Sequence, residues 1–237
     1  MSDLQFALLY ALLAGATIPV GGWLARFEAL LPSWLETEFR HTVIAFGGGL
    51  LLAAISLVLV PEGMAALSAA PALLAFGTGA LCFFYADMLI AKHGGAAGQL
   101  MAMLLDYVPE SIALGALIAT QQSKGMLLAL LIALQNLPES FNAYRELNRD
   151  ARLPGRTVLI FFAAIVPLGP LAAFLGYGLL RDNAAVLGAI MLFAAGGILY
   201  LTFEDIAPQA YLERDWSPPL GAVAGFMLGL WGHEMLG

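Results

Sequence analysis

The sequence predicts an all-α membrane protein with eight transmembrane helices. Of its 237 residues, 61% are hydrophobic and only 11% are charged, and the mean hydropathy is +0.85. The apolar residues form successive runs of roughly 20 residues, the length that crosses a bilayer as an α-helix. The first and last thirds of the chain also resemble each other, which indicates a duplicated helical unit. No sheet is expected, because only helices and closed barrels satisfy the backbone in lipid.

The same composition excludes several classes of protein. A soluble domain carries about a quarter charged residues, so a soluble enzyme is not expected. The ten Lys and Arg residues form no basic patch that could follow the phosphates of a nucleic acid. The single cysteine, Cys82, excludes an internal disulfide and a cysteine-based metal site.

Hydropathy and helix-breaking residues place the spans along the chain. The first span is too long for a signal peptide and lacks a basic start, so it is predicted to be a retained transmembrane helix. The connections are short, which predicts a single transmembrane domain over residues 1–237. The predicted spans are Leu4–Leu24, Thr42–Val60, Pro71–Ile90, Gly98–Ala119, Met126–Tyr144, Val158–Leu180, Ala184–Asp205 and Pro219–Leu236.

The basic residues predict the orientation of these spans. The loops on one side hold eight Lys and Arg residues, whereas the loops on the other side hold two. Because basic residues favour the cytoplasmic side, both termini are predicted to lie outside. The eight are Arg26, Arg40, Lys92, Arg145, Arg149, Arg152, Arg156 and Arg214, and the two are Lys124 and Arg181.

An internal repeat predicts the arrangement of the helices. Residues 46–62 resemble residues 193–209, since both begin with Phe, pass through glycines and reach a proline fifteen residues later. Residues 18–21 and 166–169 form a second matching pair. Helices 1–3 (about 4–90) thus resemble helices 6–8 (about 158–236), with helices 4–5 (about 98–144) between them. Copies of three spans separated by two face opposite ways, and such inverted 3+2+3 repeats are typical of secondary transporters.

Helices 4 and 5 carry polar motifs of the same form. Residues 106–111 read Asp-Tyr-Val-Pro-Glu-Ser, and residues 135–140 read Gln-Asn-Leu-Pro-Glu-Ser. In each motif the two outer ligands are four residues apart and share one helix face. If the two helices pack antiparallel, these oxygen-bearing side chains converge on one pocket. The pairs are Asp106 with Glu110 and Gln135 with Glu139.

The energetics of these motifs favour a bound cation. An ionised Asp or Glu at the centre of a transmembrane helix costs about 2.5–3.5 kcal/mol, and no Lys or Arg is predicted at comparable depth. Pro109 and Pro138 each free a backbone carbonyl, which membranes tolerate beside a cavity or an ion. Carboxylate and amide oxygens suit hard or borderline divalent metals. The alternative, that these acids are protonated within a structural hydrogen-bond network, stays open.

These motifs resemble those of the ZIP (Zrt/Irt-like) family of divalent metal transporters. The fourth helix of that family typically reads His-Asn-x-Pro-Glu-Gly, and its fifth helix often reads Gln or His, then Asp-x-Pro-Glu-Gly. The eight helices, outer termini and inverted repeat of the family agree with the prediction for essentially the whole chain. The resemblance implies that the main transport site consists of Asp106, Glu110, Gln135 and Glu139.

Departures from the family pattern predict a simpler site. Asp106 replaces the usual histidine, and Val166 replaces a glutamate that supplies a second site in binuclear members. Tyr107 and Asn136 occupy the other positions of that adjoining second site. We therefore expect one oxygen-only site, with a preference shifted from zinc towards harder ions such as manganese, iron(II) or magnesium.

Other acidic residues are expected along the transport path. Glu204 and Asp205 on helix 7 resemble a cytoplasmic-side metal station near the exit of the family's path. Glu62 and Glu234 are predicted near the outer mouth, where they would attract cations.

The sequence and the resemblance together predict transport of a divalent metal cation (Zn, Mn, Fe or similar) into the cytoplasm. The expected location is the cell membrane, as a multi-pass protein of a prokaryotic inner membrane. The expected partners are the cation substrate and the lipid bilayer, without nucleic acid or an organic cofactor, and the relatives suggest a homodimer. An enzyme is not expected. Two alternatives stay open: a metal-binding sensor or scaffold without flux, and an intramembrane carboxylate enzyme, although no Gly-x-Gly-Asp motif occurs.

Overall fold

The computed structural model describes residues 1–30, 33–93, 96–149, 153–180, 182–213 and 216–236. These residues form eight helical rods and no strand, which confirms the prediction of an all-α protein for the described part of the chain. Five rods are uninterrupted: α1 (Asp3–Leu24), α3 (Ala69–His93), α4 (Ala96–Thr120), α5 (Gln122–Arg149) and α8 (Ser217–Leu236). A 3-10 turn, Ala25–Leu30, follows α1.

The other three rods each contain a π-helical turn. Rod α2 comprises Ser33–Ala54, the π turn Ile55–Leu59 and Val60–Ala66. Rod α6 comprises Gly155–Ile165, Leu168–Leu175 and the π turn Gly176–Leu180, with a break at Val166–Pro167. Rod α7 comprises Ala184–Leu201, the π turn Thr202–Ile206 and Ala207–Ala210. The π turns of α2 and α7 are 147 residues apart and each ends two residues before a proline.

Each predicted span lies inside one rod, and the rods extend beyond the spans. Hydropathy detects only the apolar part of a helix, whereas capping groups define its ends. At the start of α1, for example, the Ser2 side chain and Gln5 form a capping box. The Asn183 side chain likewise accepts a hydrogen bond from the backbone of Val186 at the start of α7.

Six of the rods contain a described helix that is long and apolar enough to cross a membrane. Rods α5 and α8 do not meet that measure among the described residues. Rod α5 falls short because its polar residues, Gln135, Asn136, Glu139 and Ser140, lower the mean hydropathy of the segment. The structure is therefore that of a membrane-embedded helical protein, with six spans supported by length and composition.

Contacts between the rods show that successive rods alternate in direction. Gly47 of α2 packs on Pro138 of α5, whereas Glu62, fifteen residues further along α2, pairs with Lys124 near the start of α5. These two rods therefore run antiparallel. Contacts between the other pairs of rods show in the same way that α1, α3, α5 and α7 run in one direction and the even-numbered rods run in the opposite direction. The start of α1 and the end of α8 consequently lie at the same end of the bundle, with Glu62.

The described basic residues are concentrated at the opposite end. We call this the basic end, because it holds the start of α2 with Arg40 and the end of α5 with Arg145. Arg26, Lys92, Arg149 and Arg156 also lie at rod ends on that side, while Lys124 lies on the other. Arg152, Arg181 and Arg214 lie outside the described residues.

Two pairs of parallel rods, α2 with α8 and α3 with α7, touch through glycines. At each contact an added glycine Cβ would collide with a backbone carbonyl of the partner rod, so only glycine permits the approach. The distances from the Cβ to the carbonyl oxygen are 2.0 Å for Gly49 to Ala222, 2.1 Å for Gly225 to Phe46, 2.0 Å for Gly196 to Phe76 and 1.9 Å for Gly79 to Phe193. A shift of 147 residues relates α2 to α7 in these contacts, and a shift of 146 relates α3 to α8.

We expect Gly79→Ala to lower the thermal unfolding midpoint of the detergent-solubilised protein. The added Cβ would lie 1.9 Å from the Phe193 carbonyl oxygen, and overpacking a tight interface costs about 1–3 kcal/mol. The matched control is Gly77→Ala on the same rod, where a Cβ meets nothing within 4 Å. Equal midpoints for the two variants would contradict this packing.

Candidate functional site

Rods α4 and α5 pack against each other and bury the two polar motifs between them. Asp106 is 5% exposed, Glu110 0% and Gln135 1%, while Glu139 is half-buried. Both rods continue as α-helix through Pro109 and Pro138. The i,i+4 spacing of the motifs thus places the polar side chains on the inner faces of two continuous helices.

A cavity opens beside these motifs, between α2, α4, α5 and α7. Asp106, Gln135 and Glu139 line it, together with Asp205 of α7. Glu110 does not line the cavity, but it accepts a hydrogen bond of 2.7 Å from Nε2 of Gln135, which does. No Lys or Arg occurs among the described residues that line this cavity. We call it the central cavity.

Three buried oxygen atoms at this site have no hydrogen-bond donor among the described residues: Asp106 Oδ1, Glu110 Oε1 and Gln135 Oε1. Because Gln135 donates its amide N–H to Glu110, its own carbonyl oxygen is left as an acceptor. A buried acceptor without a partner costs about 1–3 kcal/mol, and membrane surroundings offer no compensating donor. The arrangement therefore presents acceptors that suit a cation or another donor.

The structure adds Asp205 to the carboxylates of the central cavity. Glu139 lies in the electrostatic field of Asp106, Glu110 and Asp205, so four carboxylates are close enough to interact. Asp205 lies in the π turn of α7, so the acid expected near the exit of the path lines the same cavity as Asp106. The neighbouring Glu204 is exposed, does not line the cavity and lies near Asp87 of α3.

Two amide side chains at the cavity were not singled out as site residues from the sequence. Asn142 Nδ2 donates to Gln209 Oε1 at 2.6 Å, and Gln209 Nε2 donates to Asp205 Oδ1. Helical spacing contained a signal for both: Asn142 follows Gln135 by seven residues, and Gln209 follows Asp205 by four.

Tyr107 and Asn136, at the positions that resemble a second metal site, form hydrogen bonds to backbone carbonyl groups of neighbouring rods. The Tyr107 hydroxyl donates to the carbonyl oxygens of Ala11 at 3.3 Å and Val166 at 3.2 Å. An added Cβ on Gly15 or Gly169 would lie 2.0 or 1.8 Å from that hydroxyl oxygen, so the phenol fills the space between α1 and α6. Asn136 Nδ2 donates to the Ala14 carbonyl at 3.1 Å.

The two acids predicted at the outer mouth lie in different surroundings. Glu62 forms an ion pair with Lys124 and accepts a hydrogen bond from Gln121 at 2.6 Å. Glu234 is exposed near the end of α8. The Glu62 carboxylate therefore links α2 to Gln121, which lies between α4 and α5, and to Lys124 near the start of α5.

The described residues contain no group of three or more His, Cys, Asp or Glu side chains arranged to hold a metal ion. Gln135, whose amide oxygen is a further possible ligand, lies beside these carboxylates. Three of the four carboxylates line the cavity, and Glu110 is hydrogen-bonded to Gln135, which also lines it.

In comparisons with known proteins, no family model and no curated protein matches the chain.

We expect Gly169→Ala to destabilise the protein by about 1–3 kcal/mol, because its Cβ would lie 1.8 Å from the Tyr107 hydroxyl. In a Tyr107→Ala background most of this cost should disappear, since the colliding phenol is gone. A double-mutant cycle of unfolding free energies in detergent measures the coupling. Gly178→Ala, with nothing within 4 Å of its Cβ, is the control in the same rod. Additive effects of the two substitutions would show that Tyr107 does not occupy this space.

Proposed function

We propose that the chain transports a divalent metal cation across the membrane through the central cavity. The observation that carries the proposal is a set of three buried oxygen acceptors that have no donor among the described residues. They lie next to a cavity with no described cationic side chain. The motifs that hold these oxygens resemble those of the ZIP transporters, and the proposal includes that relationship.

Charge balance supports a divalent cation as the substrate. Four interacting carboxylates in an apolar bundle repel one another and lose hydration. A cation relieves both costs at once, whereas a neutral substrate relieves neither. The main ligands in this proposal are Asp106, Glu110, Gln135 and Glu139. Asp205 joins them from α7.

The donor set bears on the choice of ion. The described lining contains carboxylate and amide oxygens with one thioether, Met103, and no imidazole or thiolate. Such oxygen donors favour manganese, iron(II) or magnesium over zinc. With Tyr107 and Asn136 hydrogen-bonded to carbonyl groups, the proposed site holds one ion at a time.

The proposed topology is eight spans in an inverted 3+2+3 repeat, with both termini outside. Matched glycine contacts and π turns at a shift of 147 residues support the repeat. The gathering of described basic residues at one bundle end supports a cytoplasmic basic end. Location in the cell membrane, and pairing as a homodimer, stay predictions from the sequence.

We expect Asp106→Asn and Glu139→Gln each to reduce cation flux into proteoliposomes by more than about tenfold, the lower range of losses at perturbed metal sites. Both substitutions keep side-chain size but remove a charge that faces the cavity. Flux is measured with Mn²⁺, Fe²⁺ and Zn²⁺ against a lumenal metal-sensitive dye. Unchanged flux in both variants would refute the proposed site, and binding by the native chain without a lumenal signal would identify a sensor or scaffold.

A second comparison tests the assignment of Asp205. We expect Asp205→Asn to weaken flux, because this carboxylate lines the central cavity. Glu204→Gln should leave flux near the native value, since Glu204 is exposed and does not line it. The adjacent positions and equal charge change make the pair a matched control. A greater loss from Glu204→Gln would place the path on the opposite face of α7.

A further inference from the structure

A second polar cavity adjoins the central cavity on the side of the basic end. Arg40, Arg145 and Glu146 line it, and we call it the vestibule. The two cavities share three lining residues: Ile44, Asn142 and Gln209. These three side chains therefore lie at the boundary between the two cavities.

Asn142 and Gln209 connect α5 to α7 at this boundary. Asn142 Nδ2 donates to Gln209 Oε1 at 2.6 Å and to Glu146 Oε1 at 2.8 Å. Gln209 Nε2 in turn donates to Asp205 Oδ1. We call the Asn142–Gln209 hydrogen bond the amide bridge.

The carboxylates at both ends determine how the two amides are oriented. Glu146 and Asp205 accept hydrogen bonds, so each draws an N–H group towards itself. Gln209 is left with its carbonyl oxygen facing Asn142, which completes the chain. The bridge thus depends on Asp205 to hold the Gln209 amide in place.

A cation bound at Asp205 would compete with Gln209 for the same carboxylate oxygen. The amide N–H group carries only a partial positive charge, whereas a divalent cation carries two full charges. The cation therefore attracts the carboxylate oxygen more strongly in a low-dielectric cavity. Displacing Gln209 Nε2 would free the glutamine to rotate, and its bond to Asn142 would be lost.

We propose that the Asn142–Gln209 amide bridge is a gate between the central cavity and the vestibule, which opens when a cation displaces Gln209 from Asp205. The inference rests on the proposed transport function and adds to it a link between substrate and opening. The π turn Thr202–Ile206 carries Asp205, and π turns are irregular helix segments that often occur at functional sites. Gln209 lies just beyond this turn, on the short segment Ala207–Ala210.

The gate is tested by the accessibility of a cysteine inside the central cavity. Met103 is 3% exposed and lines the central cavity but not the vestibule, so Met103→Cys reports on the opening of the central cavity. The single native cysteine, Cys82, is exposed and is replaced by serine. The full chain in detergent is labelled with a hydrophilic maleimide, with and without Mn²⁺.

In the reporter chain with an intact bridge, we expect Mn²⁺ to increase the labelling rate about tenfold, the shift that one hydrogen bond of ordinary net strength can supply. Gln209→Leu should label at the faster rate without Mn²⁺, because the bridge is absent. Asn142→Ala should do the same, since it has no group that can bond to Gln209, and it is a second variant if the leucine variant folds poorly. Gln121→Leu removes a glutamine bonded to Glu62 at the other end and should label like the reporter parent.

Slow labelling of both bridge variants without Mn²⁺ would overturn the gate. Fast labelling of the bridge variants, combined with a rate in the parent that Mn²⁺ does not alter, would overturn the link to the cation. Calorimetric titration with Mn²⁺ separates the latter result from failure of the proposed function: bound Mn²⁺ without opening refutes the link alone, whereas absence of binding refutes transport through this site.

Discussion

The constraint on which the architecture depends is the burial of acidic groups without basic ones. Four carboxylates interact beside the central cavity, while no Lys or Arg is found among its described lining. Each ionised acid at such depth opposes insertion by about 2.5–3.5 kcal/mol. Surrounding apolar packing must offset that cost, which explains why the polar motifs are enclosed by rods that touch closely on several sides.

That close packing comes from small residues rather than from a hydrophobic driving force, since lipid tails are as apolar as leucine. Glycines bring α2 against α8 and α3 against α7 at backbone distance. Between α1, α4 and α6, Gly15 and Gly169 leave room for the Tyr107 phenol. The two central rods, α4 and α5, are thereby held by neighbours on both sides, and their polar faces meet at a fixed position.

Rod α5 links the buried site to the basic end through a single polar stripe. Gln135, Glu139, Asn142 and Glu146 recur at helical spacing, and they lead from the central cavity into the vestibule. Rod α7 faces this stripe with Asp205 and Gln209, which follow the same spacing. Glu62, by contrast, is paired with Lys124 at the other end. Hydrogen-bonded side chains therefore lead from the central cavity towards the basic end.

The sequence by itself determined the helices and the depth of the polar motifs, because hydropathy and i,i+4 spacing are properties of one helix. It also contained the 147-residue repeat that reappears in the π turns. Only the tertiary structure decided that Asp205 lines the cavity while Glu204 does not, that Glu110 lies beyond Gln135, and that Asn142 meets Gln209. Periodicity cannot give these results, since a π turn shifts the face that follows it, and the rotation of each rod is set by its contacts with others.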